Sequence, residues 1–547
     1  MRAALIICIL VSVFSGLQAQ QDAPRWDNPR RHRWPDECKP VSIPSSMDNT
    51  IQKAWFFDTN SNHAKPLIVS LHTWSGDYNQ KDPLVKEVLM RDWNYIHPDF
   101  RGANNRPAAC ASPLALSDIE DAIQFAVKNG KVDTSEIHII GVSGGGHAAL
   151  AAYMKLDYPV KSFHSWAPIS DIQAWYWESL ERGNKYANDI EAVTSGGKMF
   201  DPATAIERSP YYMEYLPEKR ENSELYIYAG IHDGYKGSVP ISHSIKMFNK
   251  LVGEMDSSKV HQKISDSLHL ALLARRVPPQ ESQQLKIGDH EVHLRKKIPG
   301  LYLTIFEGGH EMIVPQALSL LPIKGHAHKQ PLNILTIGDS NGALKYGWPE
   351  QLKKLLPWST IVNHSIPGNT IGFNNLGQSR LNTLKNIDRC LDHAIKKMEP
   401  NLPDYIFICL GTNDAKKTFK NRQNQVGANM EQLIRNIKQH DDLKYNNSVK
   451  ICILTPPPMD PQKINTAKYG GGNERIQRMA GTFKSLSQNY GCGFINLYEK
   501  LKNDNGFNTR DGVHLKAKSQ YLIARYITNY LNQKASKRKN ELKTNEK

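Results

Sequence analysis

The chain has 547 residues, with 69 Lys and Arg against 54 Asp and Glu for a formal charge of +15, and 40% of its residues are hydrophobic while 22% are charged. This is an ordinary globular balance, and it excludes collagen-like, low-complexity and largely disordered chains. At roughly 100–200 residues per domain the length implies two or three domains and excludes a single small module.

Arg2 precedes an apolar run over 3–14, broken only by Ser12, and Leu17-Gln18-Ala19 follows. The pattern predicts a signal peptide over 1–19, cut after Ala19, and hence export to the periplasm or the extracellular space. Cys8, inside the run, reads as a passive apolar residue. No later stretch approaches the roughly 20 apolar residues that a spanning helix needs, so no membrane span is expected. Beyond Ala19 stand Cys38, Cys110, Cys390, Cys409, Cys452 and Cys492, too sparse for a disulfide scaffold. Export permits bridges without requiring them, and a Cys38–Cys110 pair in loop-like sequence stays open. No CxxC or clustered His/Cys spacing argues for a metal, and no cofactor is expected. The tail, 534–547, holds six Lys/Arg and two Glu and reads as solvated and frayed. Without a basic face interleaved with aromatics, nucleic acid is not expected as a partner. The oligomeric state stays open.

After an N-terminal extension over 20–54, β-branched runs alternate with helix-period segments, as in a parallel sheet covered by helices. Strands are expected at 67–71, 95–97, 137–140, 225–229 and 302–306. Ile119, Ala122, Ile123 and Ala126 fall on one helix face. This first domain spans 55–318. Pro322, Gly325 and Pro331 mark 319–332 as a linker. A second domain, 333–533, has expected strands at 334–337, 405–410, 451–454 and 494–497. A closing helix follows His514.

Gly141-Val142-Ser143-Gly144-Gly145 stands directly after a predicted strand and before a helix-forming run. This is G-x-S-x-G in the strand–turn–helix setting of a nucleophile elbow. A serine hydroxyl needs a base, and the base an orienting carboxylate. Asp233 and then His310 follow later strands in that order. The oxyanion needs two backbone donors: Gly144, after the nucleophile, and Thr73 or Trp74 in the loop after the first strand, with Trp74 preferred. Trp166, Trp175 and Trp177 lie between elbow and Asp233 and read equally as stacking surface for a sugar or aryl acid and as packing of a lid.

With Pro98-Asp99-Phe100-Arg101-Gly102, Asp118 and Asp121 added, residues 60–315 resemble an α/β-hydrolase of the prolyl-oligopeptidase-like group. That resemblance implies an α/β-hydrolase sandwich and either peptidase or esterase chemistry. Fewer than fifty residues stand between the predicted cleavage site and the first strand region, too few for the propeller that screens substrates in the oligopeptidases, and this favours an esterase.

The second domain carries Gly338-Asp339-Ser340-Asn341, then Asn363-His364-Ser365-Ile366-Pro367-Gly368, then Gly411-Thr412-Asn413-Asp414, and finally Asp511-Gly512-Val513-His514. Those four blocks in order resemble the SGNH (GDSL-like) hydrolases over 333–532. The resemblance implies a flavodoxin-like α/β/α sandwich with Ser340 as nucleophile and His514 as base, oriented by Asp511. The Ser340 and Gly368 amides and the Asn413 side chain would hold the oxyanion. Asn341 stands where many relatives have Leu, a departure that bears on substrate preference, and Asp339 is expected to hold the turn.

Together these readings describe a secreted, bifunctional serine esterase, resembling bacterial carbohydrate esterases, that removes acyl groups from polysaccharide. Acetyl leads for the second domain, and acetyl, feruloyl or methyl ester stay open for the first. The alternatives are a peptidase fused to an acetylesterase, or one domain kept as a non-catalytic glycan-binding module.

Overall fold

The computed structural model describes residues 33–278, 285–324, 331–446 and 448–545. The predicted signal peptide, Cys8, residues 20–32 and the middle of the predicted linker lie outside the described residues. The chain divides into two compact units, one of residues up to 278 with Glu291–Val314, the other of Leu285–His290 with Pro315 onward.

The first unit is built on a mixed sheet. In chain order its strands are β1 (Lys39–Pro44), β2 (Ile51–Phe57), β3 (Lys65–Leu71), β4 (Asn94–Pro98), β5 (Val132–Val142), β6 (Ser162–Trp166) and β7 (Glu224–Gly230). A two-residue strand, β8 (Lys286–Ile287), belongs to the second unit, and β9 (His290–Ile298) and β10 (Leu301–Phe306) follow. The spatial order is β1-β2-β4-β3-β5-β6-β7-β10-β9. From β4 through β3, β5, β6 and β7 to β10 the pairings are parallel; β1–β2, β2–β4 and β9–β10 are antiparallel. Leu67, Ile68 and Val69 of β3 are buried in succession, as expected of a parallel strand covered on both faces. The helix Pro113–Asn129 starts at Ser112, whose hydroxyl accepts the Ala115 N–H, and buries Ile119, Ala122, Ile123 and Ala126, the face read from the sequence. The lid helices Ile172–Glu181, Tyr186–Ser195 and Pro202–Glu207 pack a core of their own around Trp74, Trp175 and Ile190.

In the second unit β11 (Asn333–Gly338), β12 (Thr360–Ser365), β13 (Tyr405–Cys409), β14 (Lys450–Leu454) and β15 (Gly493–Ile495) pair in parallel in the order β12-β11-β13-β14-β15. Counted within this five-stranded sheet the order is 2-1-3-4-5, the flavodoxin-like order. Alternate strand residues feed two cores, Leu335, Ile337, Ile406 and Ile408 on one face and Ile334, Tyr405, Phe407 and Cys409 on the other. The final helix runs Ala517–Asn545, so the 534–547 tail is not frayed chain throughout, as the sequence suggested. Residues 534–545 contain neither Gly nor Pro, and their Ala, Lys, Arg, Glu and Leu are good helix formers that extend a helix anchored by Ile527 and Leu531. Among the described residues, no helix is long and apolar enough to cross a membrane.

Candidate active sites

At the end of β5, Ser143 takes φ 60° and ψ −120° before the helix Gly144–Lys155 begins. A side chain in that backbone region is strained, and the turn holds it there because its neighbours leave no room to relax. A Cβ at Gly145 would strike the Leu71 carbonyl, and one at Gly144 would strike the Trp74 backbone nitrogen. The Gly144 N–H, in the first helical turn, has no intrahelical acceptor. Of the two loop amides, Thr73 N–H already donates to Gln80 Oε1 at 2.8 Å. Trp74 N–H lies beside Gly144 and has no protein acceptor among the described residues.

Asp233 and His310, 77 residues apart, meet: His310 Nδ1 is 2.7 Å from Asp233 Oδ2. The other carboxylate oxygen accepts the Gly234 and Val239 N–H groups at 2.9 and 3.1 Å. Ser143 and His310 form no hydrogen bond in this structure; His310 Nε2 lies 3.4 Å from Ser238 Oγ instead. Ser238 was not legible as a neighbour of the base. Its carbonyl accepts Trp175 Nε1–H at 2.9 Å, and Arg182 Nη2–H reaches the Gly237 carbonyl at 2.6 Å, so the lid helix carrying Trp175 and the adjoining Arg182 together grip the Asp233 loop.

The three tryptophans separate. Trp166 is on β6, fully buried and stacked on Tyr228 at 4.0 Å, and Trp175 is fully buried against Trp74 at 4.7 Å. Neither has a ring face left for a ligand, which corrects the stacking expectation for both: each is core of the sheet or of the lid. Trp177 is 51% exposed, beside Phe200. Cys38 and Cys110 are free thiols rather than a bridge, and burial pushes both up to about 12. Cys110 Sγ instead lies 3.7 Å from His147 Nε2. Among the described residues one trio of possible metal ligands lies close together, Asp392, His440 and Asp442, and it shares no residue with either site.

In the second unit the predicted residues converge at the C-terminal ends of β11, β12 and β13, the crevice where the strand order reverses. Ser340 Oγ is 3.0 Å from His514 Nε2, and His514 Nδ1 is 2.7 Å from Asp511 Oδ2. Partial burial by itself would raise the Asp511 carboxyl. The His514 and Val513 N–H groups on Oδ1, with the imidazole on Oδ2, hold it at about 2. The Asn413 amide donates to the Asn369 carbonyl at 2.9 Å, which fixes its plane and leaves its second N–H. Gly368, at φ 85°, has its carbonyl held by Asn375 Nδ2 at 2.6 Å, and Asn375 Oδ1 accepts from the buried Lys416 at 3.2 Å. Asp339 is buried and accepts the Asn341 N–H at 3.0 Å; burial raises its carboxyl even against that bond and one from Thr412.

Residues 335–520 match the GDSL-like Lipase/Acylhydrolase family, and residues 56–251 match the BD-FAE family. The chain joins a BD-FAE α/β-hydrolase domain to a GDSL-like domain. Both matched domains are of hydrolase type. The GDSL-like match contains Ser340, Gly368, Asn413, Asp511 and His514; the BD-FAE match contains Trp74, Ser143, Gly144 and Asp233 and stops before His310. Among solved structures, a carbohydrate acetylesterase family member from Sinorhizobium meliloti is 22% identical, covering 37% of this chain and 97% of its own with a TM-score of 0.31. The native aryl esterase of M. smegmatis is 18% identical, covering 37% and 98% with a TM-score of 0.31. An acylaminoacyl peptidase in complex with Z-Gly-Gly-Phe-chloromethyl ketone is 16% identical, covering 40% and 35% with a TM-score of 0.31. An uncharacterized Salmonella typhi protein, YfhR, is 25% identical over 121 residues, 22% of this chain and 41% of that protein. The chain thus spans about two fifths of the length of this curated relative.

Proposed function

We propose that the chain is an exported, two-site esterase that removes acyl groups from polysaccharide, acetyl at the GDSL-like domain and acetyl, feruloyl or methyl ester at the BD-FAE domain. The observation that carries the reading is the continuous Ser340–His514–Asp511 chain at 3.0 and 2.7 Å. A carboxylate held ionised behind the ring stabilises the imidazolium that forms when Nε2 takes the serine proton.

In that reading Ser340 Oγ attacks the ester carbonyl while His514 accepts its proton. The carbonyl oxygen becomes an anion held by the Ser340 and Gly368 amides and by Asn413 Nδ2, donors already fixed before the reaction. His514 then gives the proton to the departing sugar oxygen, and water, deprotonated by the same imidazole, releases the acid from the acyl-enzyme. In the BD-FAE domain Ser143, His310 and Asp233 take the same roles, with the Gly144 and Trp74 amides as the oxyanion donors. The missing Ser143–His310 bond is compatible with this, because nucleophile–base bonds are often loose until substrate is bound.

The test is acid release from aryl esters and from acetylated xylan, xyloglucan and pectin by the wild type, Ser143→Ala, Ser340→Ala and the double variant. Loss of deacetylation in Ser340→Ala is expected, and full turnover in that variant overturns the assignment.

A further inference from the structure

Asn341 follows the proposed nucleophile, and its side chain is turned into the protein. It is 2% exposed, and its amide spans the two residues that flank His514. Nδ2 donates to the Val513 carbonyl at 3.2 Å, and Oδ1 accepts the Leu515 N–H at 2.9 Å. Gln520 completes the arrangement: its Nε2–H donates to the same Oδ1 at 3.1 Å while its Oε1 accepts the Trp348 N–H at 3.0 Å. One end of this network is the nucleophile turn, since the Asn341 N–H is held by Asp339. The other end is the backbone on both sides of the base.

We infer that Asn341 is a positioning residue for the esterase reaction, setting the His514 ring against Ser340 by clamping the chain at Val513 and Leu515. The inference rests on the proposed roles of Ser340, His514 and Asp511 and deepens them. Its physical basis is the distance between the partners in sequence: Asn341 and Leu515 are 174 residues apart, so nothing local fixes the base relative to the nucleophile. The Ser340–His514 bond of 3.0 Å depends on that register, and a shift of the loop by a fraction of an ångström lengthens it directly. A leucine in this pocket cannot take over. It fills similar space but leaves the Val513 carbonyl, the Leu515 N–H and the Gln520 Nε2–H without their Asn341 partners, and each orphaned group has a reason to move the loop.

The experiment uses the full chain in a Ser143→Ala background, so that aryl acetate turnover reports the Ser340 site, and compares Asn341→Leu, Asn341→Asp and Gln520→Leu, each also combined with His514→Ala. Asn341→Asp keeps the acceptor for Leu515 and Gln520 and turns the donor to Val513 into a carboxylate oxygen facing that carbonyl, and Gln520→Leu, which leaves Asn341 in place, remains informative if either Asn341 variant fails to fold. The expected result is a fall in kcat of about 10²-fold for Leu and about tenfold for Asp and for Gln520→Leu, with KM changed less than twofold. In the His514→Ala background each substitution is expected to add less than twofold, because a residue acting through His514 has nothing left to position. A kcat within twofold of the parent for Asn341→Asp and Gln520→Leu, or an undiminished loss in the His514→Ala background, overturns the proposal. Ser340→Ala in the same series separates the two levels: retained turnover there removes the underlying esterase reading, whatever Asn341 does.

Discussion

Asp511 holds His514 twice, with Oδ2 2.7 Å from the ring Nδ1 and Oδ1 accepting the backbone N–H of the same residue at 2.8 Å. One carboxylate therefore fixes both the ring and the chain that carries it. Asp511→Asn keeps the size of the group but favours the wrong imidazole tautomer, and kcat on aryl acetate is expected to fall by roughly 10³–10⁴. The same contacts set a pH dependence. The folded carboxyl sits at about 2, below the roughly 3.9 of an unfolded Asp, so its stabilising contribution is present above about pH 4 and is lost as pH falls towards 2. Measured as Tm against pH, the wild type is expected to lose more stability over that window than Asp511→Asn. An equal loss in both removes the linkage.

Asn413 supplies a donor whose direction is set by its bond to Asn369. If its second N–H holds the oxyanion, Asn413→Ala is expected to lower kcat by about 10²–10³ with little change in KM. Steady-state kinetics on aryl acetate decide this, and a loss under threefold makes the residue a structural one.

Much of both candidate sites was legible because their residues lie at strand ends that announce themselves as short apolar runs. The run at 302–306 lies within β10, 451–454 lies within β14, and Ser143, Asp233, His310 and Ser340 follow such runs. The strands that went unread are the polar or marginal ones. β6, Ser-Phe-His-Ser-Trp, carries serines and histidines on a buried strand, where His138 Nδ1 meets Ser162 Oγ at 2.7 Å and Ser162 Oγ meets His164 Nε2 at 3.0 Å. Burial of polar groups is affordable only through such partners, and partners in other strands leave no trace in local pattern. β1, β2 and β9 extend the sheet through antiparallel pairings and lie outside the parallel series that the alternating strand–helix pattern marks. For the same reason Asn341 looked like a specificity position, since its partners are more than 170 residues away.

The separation of the tryptophans can be tested by truncation. Trp166→Ala removes a fully buried ring and is expected to cost about 3–5 kcal/mol, read as a lower Tm. Trp177→Ala removes a half-exposed ring and is expected to change stability by about 0.5 kcal/mol or less. If that ring stacks on substrate, KM rises for aryl or oligosaccharide esters while kcat on a small acetate ester holds. An unchanged KM across all of these leaves Trp177 as surface.

Gly144 touches Trp74 so closely that any side chain must push the two amides apart. Gly144→Ala is therefore expected to lower activity at the BD-FAE site by at least about 10²-fold, the scale of losing one oxyanion donor. Activity at the GDSL-like site is expected to persist, as measured with a substrate that Ser340→Ala fails to turn over. Equal loss of both activities points to general unfolding.

The last expectation is that the two sites act independently. On the proposed reading each unit carries its own nucleophile, base and orienting carboxylate, with Ser143, Asp233 and His310 in one and Ser340, Asp511 and His514 in the other. Ser143→Ala should then remove one activity and Ser340→Ala the other, with only the double variant silent. Within one site the effects are strongly non-additive, so His310→Ala on top of Ser143→Ala adds little. Across sites they add, because groups without shared partners do not couple. Acid release from aryl esters and acylated oligosaccharides by the four variants reads all of this. If Ser143→Ala alters turnover of no ester or short peptide, the BD-FAE domain is better understood as a binding or structural module than as a second enzyme.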